Sequence, residues 1–279
     1  FFFKHKPAYE IRLGLVGSEM CIRDSVAATY RAQGKKVHFG HLDELCMLKG
    51  SELPEGHPLR KHKGRVVFRG NQVWTGVARA LPEFDEANCN PADMLAAKTV
   101  EAWSCMPGNI CQQADARQAY TQAPFVGETD TYVRLPDNRW PPWWKEMYPD
   151  LIDPVCRLHR ALYGHPDAGG FWERHCDAKL KECGFNLIDE SWRSCYWSSE
   201  LQVYLVVYVD DFCAAGPPEG VEEAWRRITA PSMLVLDEPT EMTHFLGCKR
   251  TVFTTRDGKR GIEYDMEDFW HTAVKAYKE

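Results

Sequence analysis

Leu201-Gln202-Val203-Tyr204-Leu205-Val206-Val207-Tyr208-Val209 runs almost unbroken by polar side chains into Asp210-Asp211. Phe212-Cys213-Ala214-Ala215 then returns to apolar sequence before Gly216-Pro217-Pro218. Two apolar runs of strand length separated by two acids read as a hairpin with buried strands and a charged tip. Adjacent carboxylates repel each other, and a divalent cation is a common relief. Taken alone, an Asp-Asp pair is more often an acidic turn without function. A third carboxylate at the end of a second strand shifts the balance, and Asp115 is placed for it, directly after the strand-like Ile110–Ala114. Three acids converging from two strand ends can hold two Mg²⁺ ions roughly 3.5–4 Å apart, the arrangement for in-line phosphoryl or nucleotidyl transfer.

The rest of the chain alternates irregularly between strands and helices. Arg65–Arg69, Thr131–Leu135, Val155–Leu158, Ser194–Trp197 and Phe245–Phe253 read as strands. Ala92–Cys105, Ala116–Gln122, Ala168–Cys183, Glu219–Thr229 and Met266–Lys278 read as helices, and Pro136–Pro149 as a loop insertion. Irregular alternation with hairpins predicts an α+β fold with a largely antiparallel sheet.

Composition removes several classes. With 44% hydrophobic and 27% charged residues the chain is globular rather than disordered. The Val203–Val209 run is far too short to span a bilayer, so no membrane partner is expected. The 11 cysteines are odd in number and include no Cys-x-x-Cys pair, which predicts reduced thiols and an intracellular setting. His159, His165, His175 and Cys176 fall into no zinc-ligand pattern. The net charge of -6 hides an asymmetry: residues 31–79 hold ten Lys or Arg against four Asp or Glu, so the remainder is acidic. A basic block beside a carboxylate-rich body suits phosphate binding next to a metal site, and a solvated basic loop is the plainer alternative.

Tyr208-Val209-Asp210-Asp211 resembles the signature of reverse transcriptases, and the series of motifs resembles the reverse transcriptase of copia-type LTR retrotransposons. Asp115-Ala116-Arg117-Gln118-Ala119-Tyr120-Thr121-Gln122-Ala123-Pro124 is similar to that family's first catalytic-Asp motif. Leu162-Tyr163-Gly164 with Trp172 is similar to its Leu-Tyr-Gly block. Phe245-Leu246-Gly247 resembles its primer-grip strand, and Lys63-Gly64-Arg65-Val66-Val67-Phe68-Arg69-Gly70 its basic fingers strand. The motifs keep the family's order over about residues 60–275.

The resemblance implies fingers over about residues 26–108, a ferredoxin-like antiparallel palm over about 109–255, and the start of an incomplete thumb over about 256–279. It implies an RNA-directed DNA polymerase joining dNTPs to a primer 3′-hydroxyl on an RNA or DNA template. Asp115, Asp210 and Asp211 would be the catalytic acids and Mg²⁺ ligands, with Mn²⁺ as a substitute. Lys63, Arg65 and Arg69 would meet the triphosphate, the Ala116 carbonyl would complete a metal shell, and Tyr120 would gate the sugar. Phe245, Leu246 and Gly247 would grip the primer. Asp167 stands where the family has a Gln that touches the nucleotide, which places activity in question. The setting implied is cytoplasmic or within virus-like particles, alongside other segments of a polyprotein. Residues 1–25 resemble translated sequencing-adapter read-through and are expected to lie outside the native fold. The chain starts at Phe1 and stops within an expected helix, so truncation at both ends is expected. A decayed, inactive element copy that at most binds nucleic acid is the rival reading.

Overall fold

The computed structural model describes residues 16–51, 54–58, 60–75, 92–136, 140, 142–149, 152–245 and 248–278. The chain folds into two compact units. The first comprises Phe1–Asn88 and Tyr120–Trp172, the second Cys89–Ala119 and Glu173–Glu279. Secondary structure is mixed α+β, and among the described residues the strands pair antiparallel in every case but one.

In the first unit the order of elements is β1 (Val16–Ile22), α1 (Arg23–Ala32), β2 (Val37–Lys49) and β3 (Lys61–Thr75). Chain order continues with α2 (Met94–Ser104) and β4 (Ile110–Asp115) of the second unit. It returns to the first unit with α3 (Ala119–Gln122), β5 (Asp130–Arg134), α4 (Pro142–Met147) and β6 (Pro154–Leu158). The five-stranded sheet has the order β1-β6-β5-β2-β3, with β2 and β5 the parallel pair. Side chains alternate across it with the strand period of two. Val37, Phe39, Tyr132 and Val155 pack against Val26 and Ala27 of α1. Val133, Cys156 and Leu158 face the opposite way, onto Leu42, Phe68, Leu162 and Trp144.

Trp144 corrects the sequence reading. The Pro136–Pro149 stretch contains helix α4, and Trp144 is buried in the core against the ring of Trp140. The basic strand is also much longer than Arg65–Arg69, because it pairs along most of β2. Val16–Ile22, within the stretch set aside as leader, forms an edge strand on β6.

The second unit completes the chain with α5 (Ala168–Glu182), β7 (Asn186–Leu187), β8 (Cys195–Ser198), β9 (Val203–Tyr208), β10 (Asp211–Gly216) and α6 (Pro218–Ile228). After them come β11 (Thr240–Glu241), β12 (His244–Phe245), β13 (Cys248–Thr254), β14 (Arg260–Asp265) and α7 (Glu267–Lys278). Helix α5 begins in the first unit. The six-stranded sheet has the order β11-β4-β10-β9-β8-β7, antiparallel throughout. Ala96, Ala97 and Val100 of α2 cover one face through Tyr204, Val206, Cys213 and Ala215. Asp93 caps that helix, accepting the Ala96 N–H at 2.7 Å. On α6, Val221, Ala224, Trp225 and Ile228 are buried, and the Trp225 indole N–H donates to Gln112 Oε1 at 2.9 Å. Gln112 and Cys111 are consecutive on β4, so α2 and α6 cover opposite faces.

The Phe245–Phe253 strand of the sequence reading is two strands, β12 and β13, joined with β14 in a three-stranded sheet. The buried side chain of Arg250 pairs with Glu101 of α2, to which the Tyr264 hydroxyl also donates. No helix among the described residues is long and apolar enough to cross a membrane.

Candidate functional site

Asp115 is the last residue of β4 and Asp211 the first of β10, and the antiparallel register sets them directly opposite each other. Asp211 is also opposite Tyr208 across the β9–β10 hairpin, leaving Val209-Asp210 as a two-residue loop. Loops of that length need a positive φ to match strand twist. Here it falls on Val209, at +57°. A β-branched residue is costly in this conformation, by about 1–2 kcal/mol, and such strain clusters at functional sites. The loop is braced from β4: the Ala116 N–H donates to the Asp210 carbonyl at 2.6 Å.

A second brace is absent from the sequence reading. Ala116 bridges Leu236, the Arg117 N–H donates to the Val235 carbonyl at 2.9 Å, and the Asp237 N–H donates to the Asp115 carbonyl at 2.8 Å. The Arg117 guanidinium pairs with Asp237. Ala116 is therefore in extended pairing rather than in a helix, and α3 starts only at Ala119, after Gln118 turns with φ +51°. Nothing local marks Asp237 in the sequence beyond its acidic neighbour Glu238.

No family model matches the chain, and no curated protein matches it. Among solved structures it is similar to telomerase from Candida albicans, solved in complex with a TWJ fragment of telomeric RNA. The TM-score is 0.39 at 10% identity, covering 81% of this chain and 47% of that one. The chain thus spans about half the length of that telomerase, and at this similarity the match assigns no residue.

Electrostatics single out the Asp115–Asp211 pair. The Asp211 carboxyl is pushed up from 3.8 to about 6, first by burial, then by the charges of Asp115 and Asp210 and a hydrogen bond with Asp115. Burial and two neighbouring carboxylates all disfavour the charged form of Asp211. Asp210 and Asp115 are exposed and Asp211 half-buried, so the pair opens to solvent at the rim of the sheet. Among the described residues no three His, Cys, Asp or Glu side chains stand together as a ready cation cage. The donor set nevertheless fits a hard divalent ion, which takes oxygen ligands and would offset the repulsion among these carboxylates.

The remaining expected site residues divide between the units. Lys63 and Arg65 lie exposed on β3, opposite Met47 and Leu45. Arg69 is held by Asp43 in an ion pair, so one of the three expected phosphate ligands has a partner within its own sheet. The Arg65 guanidinium lies 5.7 Å from the centroid of the Tyr163 ring, and Tyr120 packs on that same ring at 4.6 Å. Tyr163 is fixed by its backbone, whose carbonyl accepts the Phe68 N–H at 2.7 Å. Gly164 makes this approach possible: it has φ +85°, and a Cβ there would fall 2.2 Å from the Phe68 carbonyl oxygen.

Asp167 precedes α5 and is half-buried; its N–H donates to His165 Nδ1 at 3.2 Å. Burial holds the His165 imidazole down at about 3, within van der Waals reach of aromatic neighbours Phe68 and Phe125 at centroid distances of 5.0 Å. Phe245 lies on β12 opposite Cys248; Leu246 and Gly247 fall outside the described residues.

Proposed function

We propose that this chain carries the nucleotidyl-transfer centre of an RNA-directed DNA polymerase of the copia type. The observation that carries the reading is the opposed Asp115–Asp211 pair beside Asp210, on a strained two-residue loop between the central strands of an antiparallel sheet. Asp115, Asp210 and Asp211 would hold Mg²⁺, which when bound activates a primer 3′-hydroxyl and neutralises charge on the α-phosphate of a dNTP. The protein's contribution is placement: strand register fixes Asp115 against Asp211, and the Ala116–Asp210 hydrogen bond fixes the loop. Rigid positioning and charge stabilisation supply most of the rate in phosphoryl-type transfer.

Lys63 and Arg65 would receive the triphosphate, with Arg65 oriented over Tyr163. Tyr120, which packs on the Tyr163 ring, would exclude a 2′-hydroxyl from the sugar site. Template, primer and dNTPs are the implied partners, and Mn²⁺ would substitute for Mg²⁺. The test is extension of a DNA primer on an RNA template with each metal. The expected result is dNTP incorporation directed by template sequence, with rNTPs admitted when Tyr120 becomes Val. Template binding without incorporation would instead support the decayed, inactive copy, for which Asp167 in place of the family Gln is the specific residue in favour.

A further inference from the structure

Three sulfur atoms meet in the second unit away from any role given above. The Cys111 and Cys213 thiols are 3.5 Å apart, and Met242 Sδ lies 3.1 Å from the first and 2.9 Å from the second. Cys213 and Met242 are buried, and Cys111 is half-buried. Cys213 pairs with Gln113 and Ala215 with Cys111, so the two cysteines are diagonal neighbours on β10 and β4. Diagonal positions in an antiparallel pair stand about 7–8 Å apart, beyond the roughly 6.8 Å that a disulfide tolerates between Cα atoms. The backbone register therefore disfavours a bond between the sulfurs. An ion seated between them supplies the missing reach.

We infer that Cys111, Cys213 and Met242 form a binding site for a soft monovalent cation of the Cu(I) class. Two thiols and a thioether are the donor set that Cu(I) selects, whereas Mg²⁺ and Ca²⁺ take oxygen and structural Zn²⁺ takes four nitrogen or sulfur ligands. Charge favours a monovalent ion too. One thiol releases its proton to solvent as the ion enters, the resulting thiolate matches the single positive charge, and the core gains no net charge. Metal–sulfur bonds of about 2.3 Å require the sulfurs to spread by about half to one ångström, which the flexible Met242 side chain accommodates. Cys111 opens the way in from solvent.

The test is anaerobic titration of the whole chain with Cu(I) against a chromogenic chelator, repeated with redox-inert Ag(I). One tight equivalent is expected. Met242→Leu preserves volume and leaves all 11 cysteines in place, and is expected to weaken that equivalent at least tenfold. X-ray absorption on the unaltered Cu(I)-loaded chain gives a second readout that depends on no variant. Three sulfur scatterers at about 2.3 Å are expected. Equal affinity in a folded Met242→Leu chain, or nitrogen or oxygen in the coordination shell, would overturn the assignment.

Discussion

Asp115 and Asp211 stand directly opposite each other on paired antiparallel strands. Like charges directly across a ladder are destabilising. The fold keeps the pair, and the consequence is measurable. The folded state binds a proton at Asp211 up to about pH 6, whereas the ordinary carboxylate value is 3.8. The folded chain therefore holds more protons than the unfolded chain between those values, and stability falls as pH rises through that window. At full strength the difference is roughly 3 kcal/mol, and solvent at the sheet rim reduces it to about 1 kcal/mol. Asp115→Asn removes its charge but neither the burial, which is the larger cause, nor Asp210, so it is expected to raise Tm by about 1–2 °C at pH 7 and to reduce, not abolish, the slope between pH 4 and 6. Mg²⁺ is expected to stabilise the parent and not the variant. Thermal melts across pH, with and without Mg²⁺, check both; an unchanged slope in Asp115→Asn would show that the Asp115 charge does not raise the Asp211 carboxyl.

Val209 carries its positive φ without the freedom of glycine. Val209→Gly is expected to stabilise the chain by about 1 kcal/mol, because relief of left-handed strain exceeds the added chain entropy. Denaturant titration reads the change. If Val209→Gly is less stable than the parent, the loop is unstrained and its conformation is not stored for function.

The hairpin, Asp115 and the mixed fold were legible because each rests on local sequence: an apolar run of strand length, a charged tip and a two-residue loop. Strand β2 was not, since His38, Gly40, His41 and Asp43-Glu44 interrupt its alternation and its distal half is exposed on both sides. Trp144 was hidden by its prolines, which mark a loop unless the aromatic between them finds a core. Arg69 looks like Lys63 and Arg65 in sequence; only the β2–β3 register gives it Asp43. The Asp237 brace and the sulfur cluster depend on long-range pairing, to which no local pattern points.

The three expected phosphate ligands on β3 should therefore separate. Lys63→Gln and Arg65→Gln are expected to raise the KM for dNTP several-fold with little change in Tm. Arg69→Gln is expected to leave KM within twofold, since its guanidinium is engaged by Asp43. Steady-state kinetics on all three variants make the comparison, and a KM effect largest at Arg69 contradicts the division.

Gly164 is expected to tolerate no side chain. Both its φ and the Phe68 carbonyl oppose a Cβ, so Gly164→Ala should destabilise the first unit by about 3 kcal/mol or more. The packing of Tyr163 against Arg65 and Tyr120 would be lost with it. Equilibrium unfolding decides this, and a cost below about 1 kcal/mol would show that the segment shifts freely from β3.

The most direct measurement is single-turnover primer extension by the parent, by Asp115→Asn, Asp210→Asn and Asp211→Asn, and by their pairwise combinations. If the three acids act as one metal site, each single change lowers the rate by several orders of magnitude. The double variants then lose little more, because residues that act as a unit are not additive. Extension by a folded Asp210→Asn chain within tenfold of the parent would contradict the account.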